Sequence, residues 1–323
     1  MKVLITGAAG FVGFHSAKKI LDLGHDVIGI DNINEYYDVN LKFGRLDELN
    51  TRENFRFLKV DLADRNEIAK LFEIEKFDVV LHLAAQAGVR YSIDNPFAYI
   101  DSNIVGTLTI LEGCRHNNVK HLIYASSSSV YGANTKQPFS IDDRVDSPVS
   151  LYAATKKSDE MMAYTYAHLY KIPITGLRFF TVYGEFGRPD MAYFKFANAI
   201  MSGKPIDVYN FGDMERDFTY IDDIVSGILN IIQTGPIHGG EVSHAVYNLG
   251  NNKPEKLLDM INILEEKLGI KAEKNFLPMQ PGDVYSTYAD IEATKNDYGY
   301  KPLTSLEEGL KRFVLWYKSY YKI

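Results

Sequence analysis

Short apolar runs alternate with longer amphipathic stretches through the first 180 residues. Residues 2–6 (Lys-Val-Leu-Ile-Thr) have the continuous apolar character of a buried strand, and a helical period follows over about 11–23, ended by Gly24. Residues 27–30 form the next strand, closed by Asp31. The segment 32–54 is polar and tyrosine-containing, a loop with a helix near 41–49. Strands at 55–60, 78–82, 120–125 and 174–179 then alternate with helices at 65–75, 97–116 and 152–170. Pro96 stands just before the long helix, where a proline is tolerated. Residues 133–150, with Pro138 and Pro148, read as a surface loop. This alternation predicts an α/β fold built on a doubly wound parallel sheet.

After residue 180 the pattern loosens. Gly184, Gly187 and Pro189 mark a loop, followed by a helix at about 191–202 and a short strand at 208–209. Helices at 222–233 and 255–268 flank a strand at 246–249, and a last helix covers about 305–320. We expect a first domain at 1–180 and a smaller mixed α/β lobe at 181–323 that covers the strand ends. Part of 217–250 is a candidate to return to the first sheet.

Composition narrows the function classes. Of 323 residues, 24% are charged and 46% hydrophobic, as in an ordinary globular enzyme. The net charge of −7 argues against a general nucleic-acid or membrane-surface binder. An anionic ligand would need local arginines, lysines and helix N-termini. The sole cysteine, Cys114, allows no intrachain disulfide and fits a reducing, cytoplasmic setting. The glycines after Ile5, then His15 and Lys18-Lys19, interrupt any signal-peptide core. No run reaches the roughly 18 apolar residues of a membrane span. There is no internal repeat, no low-complexity segment and no His/Cys/Asp/Glu cluster that suggests a metal.

Three stretches carry candidate chemistry. Gly7-Ala8-Ala9-Gly10-Phe11-Val12-Gly13 joins the first strand to the first helix. Glycines there let the backbone approach a pyrophosphate at the positive end of the helix. Asp31 stands 18 residues after Gly13, near the separation of about 20 expected for an acid on the ribose hydroxyls. A carboxylate there would repel a 2′-phosphate, which favours NAD over NADP; Asn32 does not settle the point. The spacing is G-x-x-G-x-x-G, and an unrelated α/β domain could carry such a turn. Asp61, with Leu62, stands where an acid could bond an adenine amine or merely cap the next helix. Leu83-Ala84-Ala85 would allow close approach to a cofactor, or simply pack. Ser126 to Ser129 follow the fifth strand, at the sheet edge where open α/β proteins bind ligands. Tyr152-Ala153-Ala154-Thr155-Lys156 places a phenol and an ammonium on one helix face, and a neighbouring cation favours a phenolate. His82, on a buried strand, reads as structural rather than as a base.

These pieces, with Arg216-Asp217-Phe218-Thr219-Tyr220-Ile221-Asp222-Asp223 and Pro281-Gly282-Asp283-Val284, resemble the extended short-chain dehydrogenase/reductases that modify nucleotide sugars, over nearly the whole chain. Arg178-Phe179-Phe180-Thr181-Val182-Tyr183-Gly184 and Gly187-Arg188-Pro189-Asp190-Met191-Ala192 are most similar to the UDP-glucuronate 4-epimerases among them. Where related 4,6-dehydratases place an acidic Asp-Glu pair, this chain has Ser128-Ser129, so elimination of water is not expected. UDP-galactose 4-epimerases usually have Asn at the position of Thr181. Some relatives have Thr in place of Ser127, which also supplies a hydroxyl.

The resemblance implies a tightly bound NAD and interconversion of UDP-glucuronate and UDP-galacturonate through a 4-keto sugar. Tyr152 would be the base, Lys156 its activator and ribose ligand, and Ser127 the partner of the 4-oxygen. Arg188 and Thr181 would hold the carboxylate, and Ser128 is a further substrate-binding candidate. Arg216 would take the diphosphate, Arg90 the sugar or phosphate, Tyr209 the uracil, and Asp283 the uridine ribose or Arg216. Each has a plainer reading: Arg188 a solvated loop arginine, Thr181 a packing residue, Arg216-Asp217 a surface ion pair, Tyr209 core, Asp283 a turn residue. Rival reactions on the same scaffold are 4-epimerisation of UDP-glucose or a UDP-N-acetylhexosamine, and decarboxylation of the uronate; a non-catalytic NAD-binding scaffold would not need Ser127, Tyr152 and Lys156 together. The resemblance also implies a homodimer, its helices near 97–116 and 152–170 pairing across a two-fold axis.

Overall fold

Twelve strands form one large and two small sheets in the computed structural model, which describes residues 1–238, 240–280 and 285–323. Six belong to the first half: β1 (Lys2–Thr6), β2 (Asp26–Asp31), β3 (Phe55–Lys59), β4 (Val79–His82), β5 (His121–Ser127) and β6 (Ile174–Phe179). The others are β7 (Thr181–Tyr183), β8 (Ile206–Tyr209), β9 (Glu215–Tyr220), β10 (His244–Leu249), β11 (Pro254–Lys256) and β12 (Lys274–Leu277). The large sheet has the order β10-β6-β5-β4-β1-β2-β3 and every pairing in it is parallel. The order turns back at β1, which lies between β2 and β4, so a crevice opens there at the strands' carboxyl ends.

Helices cover both faces, which is why the strands are apolar runs rather than alternating ones. Val3, Ile5, Val79, Leu81 and Ile123 face one core cluster, which includes Phe14 and Ile20 of the helix Phe11–Asp22 and Ile224 and Ile228 of the helix Ile221–Thr234. Leu4, Ile28, Val80 and Leu122 face the other, with Phe72 of the helix Arg65–Glu75, Ile110 of the helix Gly106–His116 and Ala163 of the helix Leu151–Tyr170. The first cluster runs on into the second half through Phe194, Phe313 and Tyr317.

β10 lies beside β6, in register from His244 opposite Ile174 to Leu249 opposite Phe179. The helix before it packs on Phe11–Asp22. The remaining strands form a three-stranded sheet, β11-β9-β7, and a pair, β12-β8.

Three expectations need correction. The helix expected over 97–116 is broken: Tyr91–Asp94 and Pro96–Tyr99 are short helical turns, Ile100–Val105 is a π-helix, and regular helix resumes at Gly106. Asn103 in the π segment is buried and bonds both the Gln86 backbone and Thr155, so tertiary partners outweigh helical regularity. β5 continues through Ser126 and Ser127, so only Ser128 and Ser129 follow it. Segment 133–150 is not wholly a surface loop, since Phe139 and Val145 are buried and Phe139 stacks on Tyr131 at 4.6 Å.

Candidate active site

A cavity of about 480 Å³ opens over the carboxyl ends of β1, β2, β4, β5 and β6. Gly7, Gly10, Phe11, Val12 and Gly13 line one wall, with Asp31, Asn32, Asp61 and Leu62 at one end and Leu83, Ala84 and Ala85 along its floor. At Gly13 the approach is too close for any side chain: a Cβ would lie 2.1 Å from the Gly7 carbonyl oxygen. Among the described residues no side chain caps the helix that starts at Phe11, so its first N–H groups are available to an anion. Asp31 accepts the Ile33 N–H at 2.8 Å, and burial raises its carboxyl above the ordinary range. Asp61 is not a helix cap. Asp64 has that role, bonding the Asn66 and Glu67 N–H groups, while Asp61 accepts from Asn32 Nδ2 at 2.9 Å and from the Ala63 N–H.

His82 has the structural role expected of it. The Thr6 hydroxyl accepts the Leu83 and Ala84 N–H groups, which directs its own proton to His82 Nδ1 at 2.8 Å, and Nε2 meets Thr107 at 3.1 Å. Burial, with Lys156 nearby, lowers this imidazole to about 3, so it is neutral.

Ser127, Ser128, Tyr152 and Lys156 line the other end of the same cavity. Ser150 caps the helix Leu151–Tyr170 by accepting the Ala153 N–H, which fixes Tyr152 in the first turn. The Tyr152 ring meets Tyr99 edge-on at 6.0 Å. Lys156 is 2% exposed, and its Nζ donates to the Ala125 carbonyl and to Asp159 Oδ2, both at 3.1 Å. Ser127 Oγ accepts the Ser129 N–H, ordering the 3-10 turn Ser128–Tyr131. Beneath it Ser126 donates to Glu160, which forms a two-bond pair with Arg178.

Thr181 and Arg188 complete this end. Arg188 is not a solvated loop arginine. Its Nε and Nη2 donate to Asp190 at 3.0 and 2.5 Å, so the side-on edge of the guanidinium is engaged and the end-on edge, Nη1 and Nη2, is what it can offer a ligand. A second cavity of about 220 Å³ adjoins the first and shares Thr181, Met191 and Arg216 with it. Arg90 and Tyr209 line the second cavity, the guanidinium 5.1 Å above the ring. Arg216 donates to the Glu215 and Tyr285 carbonyls. Asp217 is not a surface ion-pair partner but fully buried, receiving the Asn251, Asn252 and Ala289 N–H groups. Asp283 lies outside the described residues.

The NAD dependent epimerase/dehydratase family matches residues 3–250, which include the glycine turn, Asp31, Ser127, Tyr152 and Lys156. The chain belongs to that family. UDP-glucuronate 4-epimerase 1 of Arabidopsis thaliana is 50% identical, over 99% of this chain and 77% of its own. A probable UDP-glucuronate 4-epimerase of Rhizobium meliloti is 48% identical, over 100% of this chain and 98% of its own. The crystal structure of a Bacillus cereus UDP-glucuronic acid 4-epimerase, in complex with UDP-glucuronic acid and NAD, superposes with a TM-score of 0.92 at 36% identity, covering 99% of this chain and 100% of that one.

Sequence reasoning about this epimerase/dehydratase-family chain missed several lining residues: Tyr36, Lys42, Gln86, Ser102, Phe179 and Thr287. Gln86 directly follows Ala85 at a strand end, so its position was a usable signal. Tyr36 and Lys42 lie in the polar stretch after β2, where no periodicity or motif marks one residue over another.

Proposed function

We propose that this chain interconverts UDP-glucuronate and UDP-galacturonate by NAD-dependent epimerisation at C4. The observation that carries the reading is that Ser127, Tyr152, Lys156, Thr181 and Arg188 line the same cavity as the glycine turn and Asp31. The close approach at Gly13, the uncapped helix and the acid at Asp31 fit NAD. The residues that would hold it are Gly7, Gly10, Phe11, Val12, Gly13, Asp31, Asn32, Asp61, Leu62, Leu83, Ala84, Ala85, Tyr152 and Lys156. Bound there, NAD supplies a hydride acceptor and then a hydride donor, so no net redox change occurs and the nucleotide stays with the protein.

Tyr152, as phenolate, withdraws the proton from the sugar 4-hydroxyl. The Lys156 ammonium, fixed by Ala125 and Asp159, supports the phenolate from one turn along the helix and binds the nicotinamide ribose. Ser127 bonds the 4-oxygen and relays its proton. The 4-keto sugar turns over about its phosphate linkage and presents its other face, and Tyr152 returns the proton as reduction completes the cycle. With a ketone at C4 and a carboxylate on C5, the intermediate is a β-keto acid. Thr181 and the end-on edge of Arg188 hold the carboxylate with its C–CO₂ bond near the ring plane, out of line with the carbonyl π system, so carbon dioxide is retained. Ser128 adds a hydroxyl. Arg216 takes the diphosphate, Arg90 the sugar or phosphate, and Tyr209 and Asp283 the uridine. In this reading 1–180 binds the cofactor, 181–323 binds the nucleotide sugar, and the protein works in the cytoplasm as a homodimer.

One observation favours a second reading. Asp190 already neutralises much of Arg188, which would suit a neutral UDP-hexose. Incubation of the purified protein with UDP-glucuronate, without added NAD, followed by ion-exchange chromatography, separates the two. A UDP-galacturonate peak with no UDP-pentose peak is expected. A UDP-pentose peak would indicate a decarboxylase. No product even with NAD added, but turnover of UDP-glucose or a UDP-N-acetylhexosamine, would overturn the uronate assignment.

A further inference from the structure

The pair made by Arg188 and Asp190 has a third member that is distant in sequence. Tyr36 Oη donates to Asp190 Oδ2 at 3.1 Å, across 154 positions of chain. Tyr36 belongs to the loop that leaves β2 just after Asp31, and it lines the same cavity as Arg188. Its ring leans on Tyr91 at 4.8 Å. The space for its hydroxyl exists because residue 88 is glycine: a Cβ on Gly88, whose φ is +103°, would lie 2.5 Å from Tyr36 Oη. The neighbouring Tyr37 accepts from Arg45 at 2.7 Å, and Arg45 also donates to the carbonyls of Ala9, Phe186 and Gly187. The loop is therefore fastened to the glycine turn on one side and to the Arg188 segment on the other.

We propose that Tyr36 and Asp190 are specificity-determining positioning residues for the sugar end, which lock the side-on edge of Arg188 so that its end-on edge meets a uronate carboxylate from one direction only. This rests on the uronate reading above and deepens it. An arginine free to turn would follow the carboxylate as the sugar ring moves, including into the orientation where the C5–CO₂ bond lines up with the π system of the C4 carbonyl. A guanidinium held on its other edge does not follow. The lock thus acts on the partition of the 4-keto intermediate rather than on proton removal at the 4-hydroxyl.

The alternative branch is fully balanced. The C5–CO₂ bond breaks, carbon dioxide leaves, and its electron pair becomes the enolate of the C4 ketone. The enolate takes a proton at C5, and the hydride removed earlier returns to C4 to give a UDP-pentose. No further oxidant or reductant is needed.

Two conservative substitutions test the lock in the NAD-loaded enzyme. Tyr36→Phe keeps the ring on Tyr91 and removes the hydroxyl. Asp190→Asn keeps the volume and removes the charge that holds Arg188. Each variant and the parent are given UDP-glucuronate, and UDP-galacturonate and UDP-pentose are quantified together. The UDP-pentose share is expected to rise about fivefold, the scale of one lost hydrogen bond, even where total turnover falls. A uniform loss of turnover with an unchanged UDP-pentose share in both variants overturns the proposal, since a merely structural role moves turnover and not partition. If Asp190→Asn does not fold, Tyr36→Phe decides alone. If the parent makes no UDP-galacturonate, the underlying reading has failed and the lock fails with it; a parent that epimerises cleanly with unaltered variants condemns only the lock.

Discussion

At the scale of single residues, the proposed site contrasts a half-buried phenol with a buried ion pair. Tyr152→Phe removes the proposed base and leaves the ring in place. Epimerisation is expected to fall by roughly 10²–10⁴-fold while NAD is still retained, measured by product formation and by nucleotide released on denaturation. Full turnover would exclude Tyr152 as the base. Asp159, 1% exposed beside Lys156, has a titration of its own. Burial raises its carboxyl from 3.8 to about 6, against the pull of Lys156. The folded protein therefore holds a proton there that the unfolded chain has lost, and the associated stability is present at low pH and disappears as pH rises through about 6. Asp159→Asn is expected to remove about 1 kcal/mol of the fall in unfolding free energy between pH 5 and pH 7, read by urea unfolding at both values. An unchanged slope would mean that Asp159 does not titrate there. Asp217, also raised to about 6 by burial, should keep its own step in that variant. The sequence shows Tyr152 and Lys156 plainly as helical neighbours. It shows Arg188 and Asp190 side by side but not the pair they form, because the bend at Pro189 that brings the two together is set by packing.

At the scale of elements, Arg45 determines how two loops meet. It is fully buried in the helix Val39–Leu49 and donates to three backbone carbonyls and the Tyr37 hydroxyl. Arg45→Met fills much of the same space but leaves those acceptors without their donor. A loss of about 3 kcal/mol or more is expected in denaturant unfolding, together with faster escape of the bound nucleotide, since the glycine turn loses its tie at Ala9. A loss under about 1 kcal/mol would show that other donors replace it. A sequence pattern gives no reason to single out this arginine, which looks like one charge on an amphipathic helix. The long regular elements were legible for the opposite reason: their period is repeated many times. β7, β11 and β12, of three to four residues each, offer too few repeats, and Pro254-Glu255-Lys256 shows no apolar alternation. The π segment at Ile100–Val105 was hidden because its cause, the bonds of Asn103 to Gln86 and Thr155, lies outside the helix.

For the whole molecule, the return of β10 to the large sheet follows from a strongly apolar helix, Ile221–Thr234, that must bury its face against the first core. One apolar surface has no such cover among the described residues. Ile93, Phe97, Ile100 and Leu108 lie on the segment 91–116, and Met161, Tyr164 and Leu169 on the helix Leu151–Tyr170 that packs beside it. Phe97 is 78% exposed and Met161 62%, more than isolated surface apolar residues explain. A two-fold axis through this face would bury four helical segments as two self-complementary pairs. Replacing Phe97 and Met161 together by glutamate places two charges on each copy at the centre of the proposed contact. Sedimentation equilibrium should show the parent at twice the chain mass and the variant at the chain mass of 36.6 kDa, with the far-ultraviolet spectrum of the parent retained. A variant that stays dimeric would move the interface elsewhere, and a monomeric parent would leave this stripe without a second copy to cover it. Because Tyr99 touches Tyr152 from the same segment, loss of the contact should also lower turnover, and a monomer with full activity would show that the interface and the site are independent.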